Sequence, residues 1–513
     1  TKNNSIKLWK IKKLELKSFA VNILPKLSLH GENVMERFHL SAEKTEHISE
    51  VIRAENNSIK LGKVKKLELW NRSINILPKL SLHEENEMEV LSLNAKKIEY
   101  VSEVMGAENN SIKLGKIKKL ELNSFAVNIL PKLSLHEKNE MEVFYLNAEK
   151  MEYVSEVMGA ENNSIKLGKI EKLELKSFAI NILPKLSLHK DNVMERFHLS
   201  AEKTEHVSEV IRAENNSIKL GKVKKLELCK HSINTLPKLS LHEENVMDVL
   251  YLIADKAEHV FEIASSKNNS IKLGKVKTLN LCKYSANVLP KLVLHKENVM
   301  EELKLYTEEM EHVSEIIWTE NNSIWLGKIK KLEMRKYSAN VLPKLVLHEE
   351  NKLERVLFDA DQTKHVLGII NTRGNSIELG KVEKLELRDY AVNILLKLSL
   401  HGENVMEVFH LCAKKKEYVS ETIKTTNNSI RIGKVKKLEL EYFAINILPK
   451  LVLHEENVME EFRLNGRDIE NISEIIKAKN NDIWLGNVKK LELGPYAGRI
   501  RPKLRYCEGK TFY

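Results

Sequence analysis

One period constrains this chain more than anything else in it: the segment NNSIKLGK returns every 53 residues. It begins at Asn3, Asn56, Asn109, Asn162, Asn215, Asn268 and Asn321, reads GNSIELGK from Gly374, and begins again at Asn427 and Asn480. No insertion interrupts the step, so nine full units and a partial unit, 480–513, cover all 513 residues. A fixed step of this kind requires a stacked array in which each unit touches mainly its neighbours. Residues 1–513 are therefore expected to form a single repeat solenoid without a linker or second domain. The partial unit reads as a C-terminal cap or a decayed repeat.

Each unit divides again. Val64, Leu67 and Leu69 in VKKLEL fit the pattern LxxLxL, and so do Met88, Leu91 and Leu93 in MEVLSL. From Val64 to Met88 is 24 residues and from Met88 to Ile117 is 29, which suits two alternating coils, one short and one long. Each coil is expected to carry a short strand whose alternate leucines point inward. In the long coil, AKKIEYVSEVMGAENN spaces Ile98, Val101 and Val104 three apart, predicting one short helix or 3₁₀ segment. The short coil returns through INILPKLSL, where Pro78 forbids a regular helix. Leu396 alone replaces this proline.

The LxxLxL strands and the LPxL return (Leu77, Pro78, Leu80) resemble the leucine-rich repeat family along the whole chain. The resemblance implies an α/β horseshoe with parallel strands on its concave face and short helices or extended returns on the convex side. One family hallmark is replaced. The ninth position, usually Asn or Cys, is Phe19, Phe125, Phe178, His231, Tyr284, Tyr337, Tyr390, Phe443 or Arg72 in the short coil, and charged in the long coil, as at Glu43 and Lys96. An Asn recurs three positions later (Asn22, Asn75, Asn128) and is placed to take over the hallmark's loop-bonding role. The departure leaves a parallel β-helix as the alternative fold. Near-identical stretches, such as VMERFHLSAEKTEH at 34–47 and 193–206, record duplication of a three-unit block. They resemble expanded repeat proteins of parasitic or intracellular microbes.

The candidate chemistry is soon narrowed. A histidine column, His30, His83, His136, His189, His242, His295, His348, His401 and His454, contributes one imidazole per full unit. With two strands per unit, neighbours lie roughly 10 Å apart, too far to share a metal that binds nitrogen at about 2 Å. The column is expected to bond the turn before the next strand. HEEN lacks the second histidine of a metalloprotease helix, and no phosphate loop, GxSxG elbow or CxxC pair occurs. Neither enzymatic activity nor a cofactor is expected. Cys229, Cys282, Cys412 and Cys507 read as incidental, pointing to a reducing, cytoplasmic setting. A secreted chain would need a signal upstream of Thr1. No apolar run reaches the ~18 residues of a membrane span.

The net charge is +11, from 83 basic and 72 acidic residues, and KVKK recurs in most units. Yet Lys12, Lys65, Lys118 and Lys224 stand at the strand position where the long coil has Glu36, Glu89, Glu142 and Glu195. Alternating strands would pair these charges, which argues against nucleic-acid binding. NNS is an N-glycosylation acceptor in eight units, and also a polar turn.

Variation between units marks the surface a partner would meet. The fifth position of the long-coil strand runs His39, Ser92, Tyr145, His198, Tyr251, Lys304, Leu357, His410, Arg463, between leucine columns that hardly change. Unusual choices gather at Tyr251, Ile253, Lys304, Tyr306, Arg335, Leu357 and Asp359. A non-enzymatic scaffold binding a protein or peptide ligand on this strip is the expected function. A structural or surface repeat protein, glycosylated at its NNS turns, is the alternative, and a nucleic-acid-binding array is the third.

Overall fold

The computed structural model describes residues 3–30, 32–136, 138–347, 351–372 and 377–508. His348 of the histidine column, Gly374 at the head of the eighth unit and residues 509–513 of the last lie outside these. The chain forms two compact bodies, Thr1–Met247 and Asp248–Tyr513, both built from the 53-residue repeat. The architecture of each is α/β around a parallel sheet in which short-coil and long-coil strands alternate in chain order.

In the first body this sheet runs from Lys13–Lys17 to Lys225–Lys230. Lys66–Asn71 pairs with Glu87–Ala95, setting Leu67 against Leu91 and Leu69 against Leu93. Glu87–Ala95 then pairs with Lys116–Ser124, setting Leu91 against Leu120 and Leu93 against Leu122. Leucine thus stacks on leucine without a register slip, and all six are fully buried. Such a side chain contributes roughly 1.5–3 kcal/mol relative to an exposed one. The second body repeats the arrangement from Ile271–Lys283 to Leu491–Leu493, with Leu303 against Leu332 and Leu305 against Met334. Both bodies therefore have a core that is a column of like residues, with every second side chain facing outward.

The connections refine the sequence reading. The short-coil return is a 3₁₀ helix, Arg72–Lys79, that contains Pro78. Proline's fixed φ suits this tight helix, and the Pro78 carbonyl near its end accepts from Asn57 N–H at 3.0 Å. Leu80–Leu82 follows as a strand and pairs in parallel with Ile59–Val64, making a second, smaller sheet. The long coil carries both predicted forms, a 3₁₀ turn Ile98–Tyr100 and an α-helix Ser102–Met105. Val101 and Val104 are buried as their spacing predicts, but Ile98 is exposed and Tyr100 fills the core instead.

Two asparagine columns tie coil to coil. Asn75 Nδ2 donates to the Glu99 carbonyl at 2.9 Å, and its Oδ1 accepts from Glu103 N–H at 3.0 Å. Asn128, Asn181 and Asn446 repeat both bonds. This is the loop-bonding role expected of the column. The second column is Asn86 and its equivalents, each about 1% exposed. Asn86 Oδ1 accepts from Val64 N–H at 2.7 Å, while its carbonyl accepts from Lys116 N–H at 2.9 Å. One buried residue thereby fixes the coil before it and the coil after it.

Candidate functional site

The histidine column serves the turn. His83 Nδ1 accepts from Glu85 N–H at 3.1 Å, and the His83 N–H donates to the Gly62 carbonyl at 3.0 Å. The same acceptor role recurs at His136, His242, His295 and His454.

The aromatic column of the short coil, at Phe125, Phe178, Tyr337 and Tyr390, has a partner of its own. Phe178 meets His206 edge-to-face with ring centroids 4.6 Å apart, and Tyr337 meets His365 at the same distance. Phe125 on Tyr153 and Tyr390 on Tyr418 repeat the contact, while Arg72 lies over the Tyr100 ring at 5.4 Å. Burial holds the imidazoles of His206, His312 and His365 below their usual range. These rings are structural.

The outward face of the main sheet is laced with ion pairs. Lys65 lies 3.5 Å from Glu89, Lys118 3.5 Å from Glu142, and Lys224 2.6 Å from Glu195. The pairing expected along this row is present, so the KVKK lysines are locally neutralised. A cavity of about 700 Å³ in the first body follows the same logic: Lys63 binds Glu85 at 3.2 Å and Lys116 binds Glu87 at 3.1 Å across it. Being exposed and screened by solvent, such pairs contribute little to stability.

Two places on this face in the first body are more enclosed. Arg37 and His39 converge on one Glu68 oxygen, at 2.6 Å and 3.3 Å, with Trp70 edge-on to the imidazole at 4.8 Å. Arg196, His198 and Glu227 repeat this arrangement, with Lys225 added at 2.6 Å. Burial lowers the affinity of both imidazoles for a proton. Burial pushes the Glu227 carboxyl up, but Lys225 and Arg196 outweigh it, and the net shift is downward. The sequence shows Arg37, His39, Arg196 and His198 only as members of variable rows, and Glu68 and Glu227 as members of a nearly constant one. Their convergence depends on strand register, which no local motif announces.

The variable strip lies in the second body. Lys304 stands in register between Asn280 and Glu333, and Leu357 follows Glu333. Tyr306 stands between Cys282 and Arg335, and Asp359 follows Arg335. Tyr251 and Ile253 occupy the strand Val246–Ala254, and the Tyr251 hydroxyl bonds the Cys282 thiol. Five of the seven thus form two adjacent rows on neighbouring strands. Their exposure differs. Arg335 is exposed, and Tyr251, Ile253, Lys304, Tyr306 and Asp359 are half-buried. Leu357 is only 3% exposed, despite its outward position. It sits between Glu333 and Glu386, whose carboxylates are held by Arg335 at 2.7 Å and Arg388 at 3.3 Å, and these longer, ion-paired neighbours account for its burial.

The strip's polar groups are held in place. Tyr306 Oη donates to Glu308 at 2.6 Å, Lys336 lies 5.5 Å from the Tyr306 ring centre, and Lys304 pairs with Glu302 at 2.8 Å. On the NNS turns, Asn56 and Ser58 are exposed, and Ser58 Oγ donates to the Glu55 carbonyl at 2.7 Å. Among the described residues no helix is long and apolar enough to cross a membrane. No family model, no curated protein and no solved structure matches the chain.

Proposed function

We propose that the chain is a non-enzymatic binding scaffold of leucine-rich type, which takes a protein or peptide ligand across the main-sheet face of its second body. The observation that carries this reading is the contrast between columns. Leu303, Leu305, Leu332 and Met334 beneath the strip are at most 1% exposed and scarcely vary between units. The long-coil positions directly above them change at almost every step, while the short-coil fifth position between them is Glu in nine of ten units; the strip gathers two tyrosines, a lysine and an exposed arginine. Aromatic and guanidinium groups held by intramolecular bonds lose little freedom on binding, which is what interface anchors require. The leucine-rich assignment is supported by the LxxLxL strands and by the Asn75 column. The triple variant Tyr251→Ala, Tyr306→Ala, Arg335→Ala tests the reading. Captured partner should fall at least tenfold, as loss of even one anchor of about 2 kcal/mol implies. Unchanged capture by a folded triple variant rejects it.

The exposed NNS turns favour a second reading, a glycosylated surface repeat protein. Mass spectrometry of the native protein at Asn56 and Asn109 decides it, since unmodified peptides at both positions leave that reading without support.

A further inference from the structure

The short pairings beside the main sheet, separate from one another, carry a pattern of a different kind. In the first body they set Lys7 opposite Ser28, Lys60 opposite Ser81, Lys113 opposite Ser134, Lys166 opposite Ser187 and Lys219 opposite Ser240. From Lys60 onward the residues alternating with these lysines, such as Ile59 and Leu61, are buried, so the ammonium groups and hydroxyls share the outward side. All five lysines are exposed, and among the described residues none is ion-paired. This is the opposite of the main sheet, where Lys65, Lys118 and Lys224 each have a carboxylate partner. Each unit adds two strands to the main sheet, so successive Lys–Ser pairs are offset by about two strand spacings, roughly 10 Å.

Grooves accompany the pairs at the same period. One of about 310 Å³ is lined by Asn109, Leu130, Pro131, Glu161, Ser164 and Lys166. One repeat later, a groove of about 320 Å³ is lined by the corresponding Asn162, Leu183, Pro184, Glu214 and Ser217. Each offers an amide, a hydroxyl and a carboxylate beside an apolar Leu-Pro floor. In the second body the pattern dissolves: the pairs become Lys272–Val293, Trp325–Val346, Glu378–Ser399 and Arg431–Val452.

We propose that this face of the first body binds a linear acidic polysaccharide, with one carboxylate or sulfate against each Lys–Ser pair. A step of about 10 Å corresponds to roughly two linked sugar rings, so a chain carrying at least one charge per disaccharide presents one to the lysine of every repeat. The groove amides, hydroxyls and carboxylates match sugar hydroxyls, which both donate and accept. Nucleic acid fits less well. A DNA duplex ties its sugar oxygens into phosphodiesters and offers no hydroxyl for the groove amides and carboxylates to bond. The Lys–Ser pairs also include no aromatic ring on which bases could stack. The surface is distinct from the strip in the second body and does not depend on it.

Fluorescence anisotropy on the full chain tests this, with labelled heparin and polygalacturonate as the sulfated and carboxylated probes, and neutral dextran and a duplex DNA as comparators. The variant Lys60→Gln, Lys113→Gln, Lys166→Gln, Lys219→Gln removes four exposed charges and should keep the wild-type circular dichroism and melt. It should lose at least tenfold in affinity for an acidic glycan, and its log–log salt slope should shrink by about 3. The matched variant Lys12→Gln, Lys65→Gln, Lys118→Gln, Lys224→Gln, in the ion-paired row, should change affinity by less than about threefold. Equal losses in both variants, tighter binding to DNA than to either glycan, or no binding to either glycan overturns the proposal. Preference for heparin or for polygalacturonate identifies sulfate or carboxylate as the group bound.

Discussion

Gly168→Ala is expected to damage this protein far more than the same change nine residues earlier. Gly168 has φ +75°, and a Cβ there would lie 2.4 Å from the Asn139 carbonyl oxygen in the preceding long coil. That oxygen accepts from Lys169 N–H at 3.0 Å, so it cannot retreat without losing the bond that joins the coils. The left-handed conformation costs alanine about 1–2 kcal/mol. Losing the hydrogen bond and leaving its N–H unpaired costs about 1–3 kcal/mol. The sum is about 2–5 kcal/mol. Gly159, by contrast, ends the helix Ser155–Met158 at φ −71°, and a Cβ there meets nothing closer than 3.5 Å. Its equivalents in other units are Arg53, Arg212 and Trp318, so a side chain is accommodated. Gly159→Ala should therefore lie within about 0.5 kcal/mol of wild type. Trp9 occupies the Gly168 column in the first unit, where no described Asn carbonyl stands opposite, and its φ is not left-handed. Repeat arrays open locally, so amide hydrogen exchange across Ile165–Ser177 is the appropriate assay, alongside urea melting. Gly168→Ala with wild-type protection would refute the reasoning.

Three further outcomes are expected. Asn139→Ala removes the buried acceptor 2.8 Å from Ile117 N–H and should cost about 1–3 kcal/mol, read as faster exchange in Lys116–Ser124; unaltered exchange there contradicts the role given to this column. Burial holds His39, His198, His206, His312 and His365 below their usual range, so below pH ~6.5 the unfolded chain binds more protons at these rings than the native one. Their contribution is fully present above that pH and is lost as pH falls from there through the lowered native values; urea midpoints that rise on acidification would contradict it. The Cys412 thiol is pushed up to about 12 by burial and, less strongly, by Glu441, whereas Cys507 is exposed. Iodoacetamide at pH 8 should label Cys507 and leave Cys412 unmodified, as peptide mass spectrometry can verify.

The legible part of this fold is the part with a short period. Leu67, Leu69, Leu91 and Leu93 alternate with charge, and alternation is enough to assign both strand and core. The role of Asn86 was not legible. Its side chain reaches Val64, 22 residues back on a different strand, so HEEN shows only a turn. The Lys–Ser face was hidden for the same reason, since Lys60 and Ser81 meet only through pairing of two three-residue segments. Leu357 shows the limit of reading exposure from position, because its burial comes from the ion pairs of neighbouring strands. The strip itself was found by comparing units, which exposes variable rows whatever the loops between them do.

The most direct measurement on the functional claim is hydrogen exchange of the full chain with and without its captured protein partner. Slowed exchange should centre on Val299–Thr307, Lys328–Lys336 and Arg355–Ala360, the strands that carry the strip. The Tyr251, Tyr306 and Arg335 triple variant should abolish that protection. Protection confined to the 3₁₀ returns or the short helices, with these strands unchanged, would contradict the account.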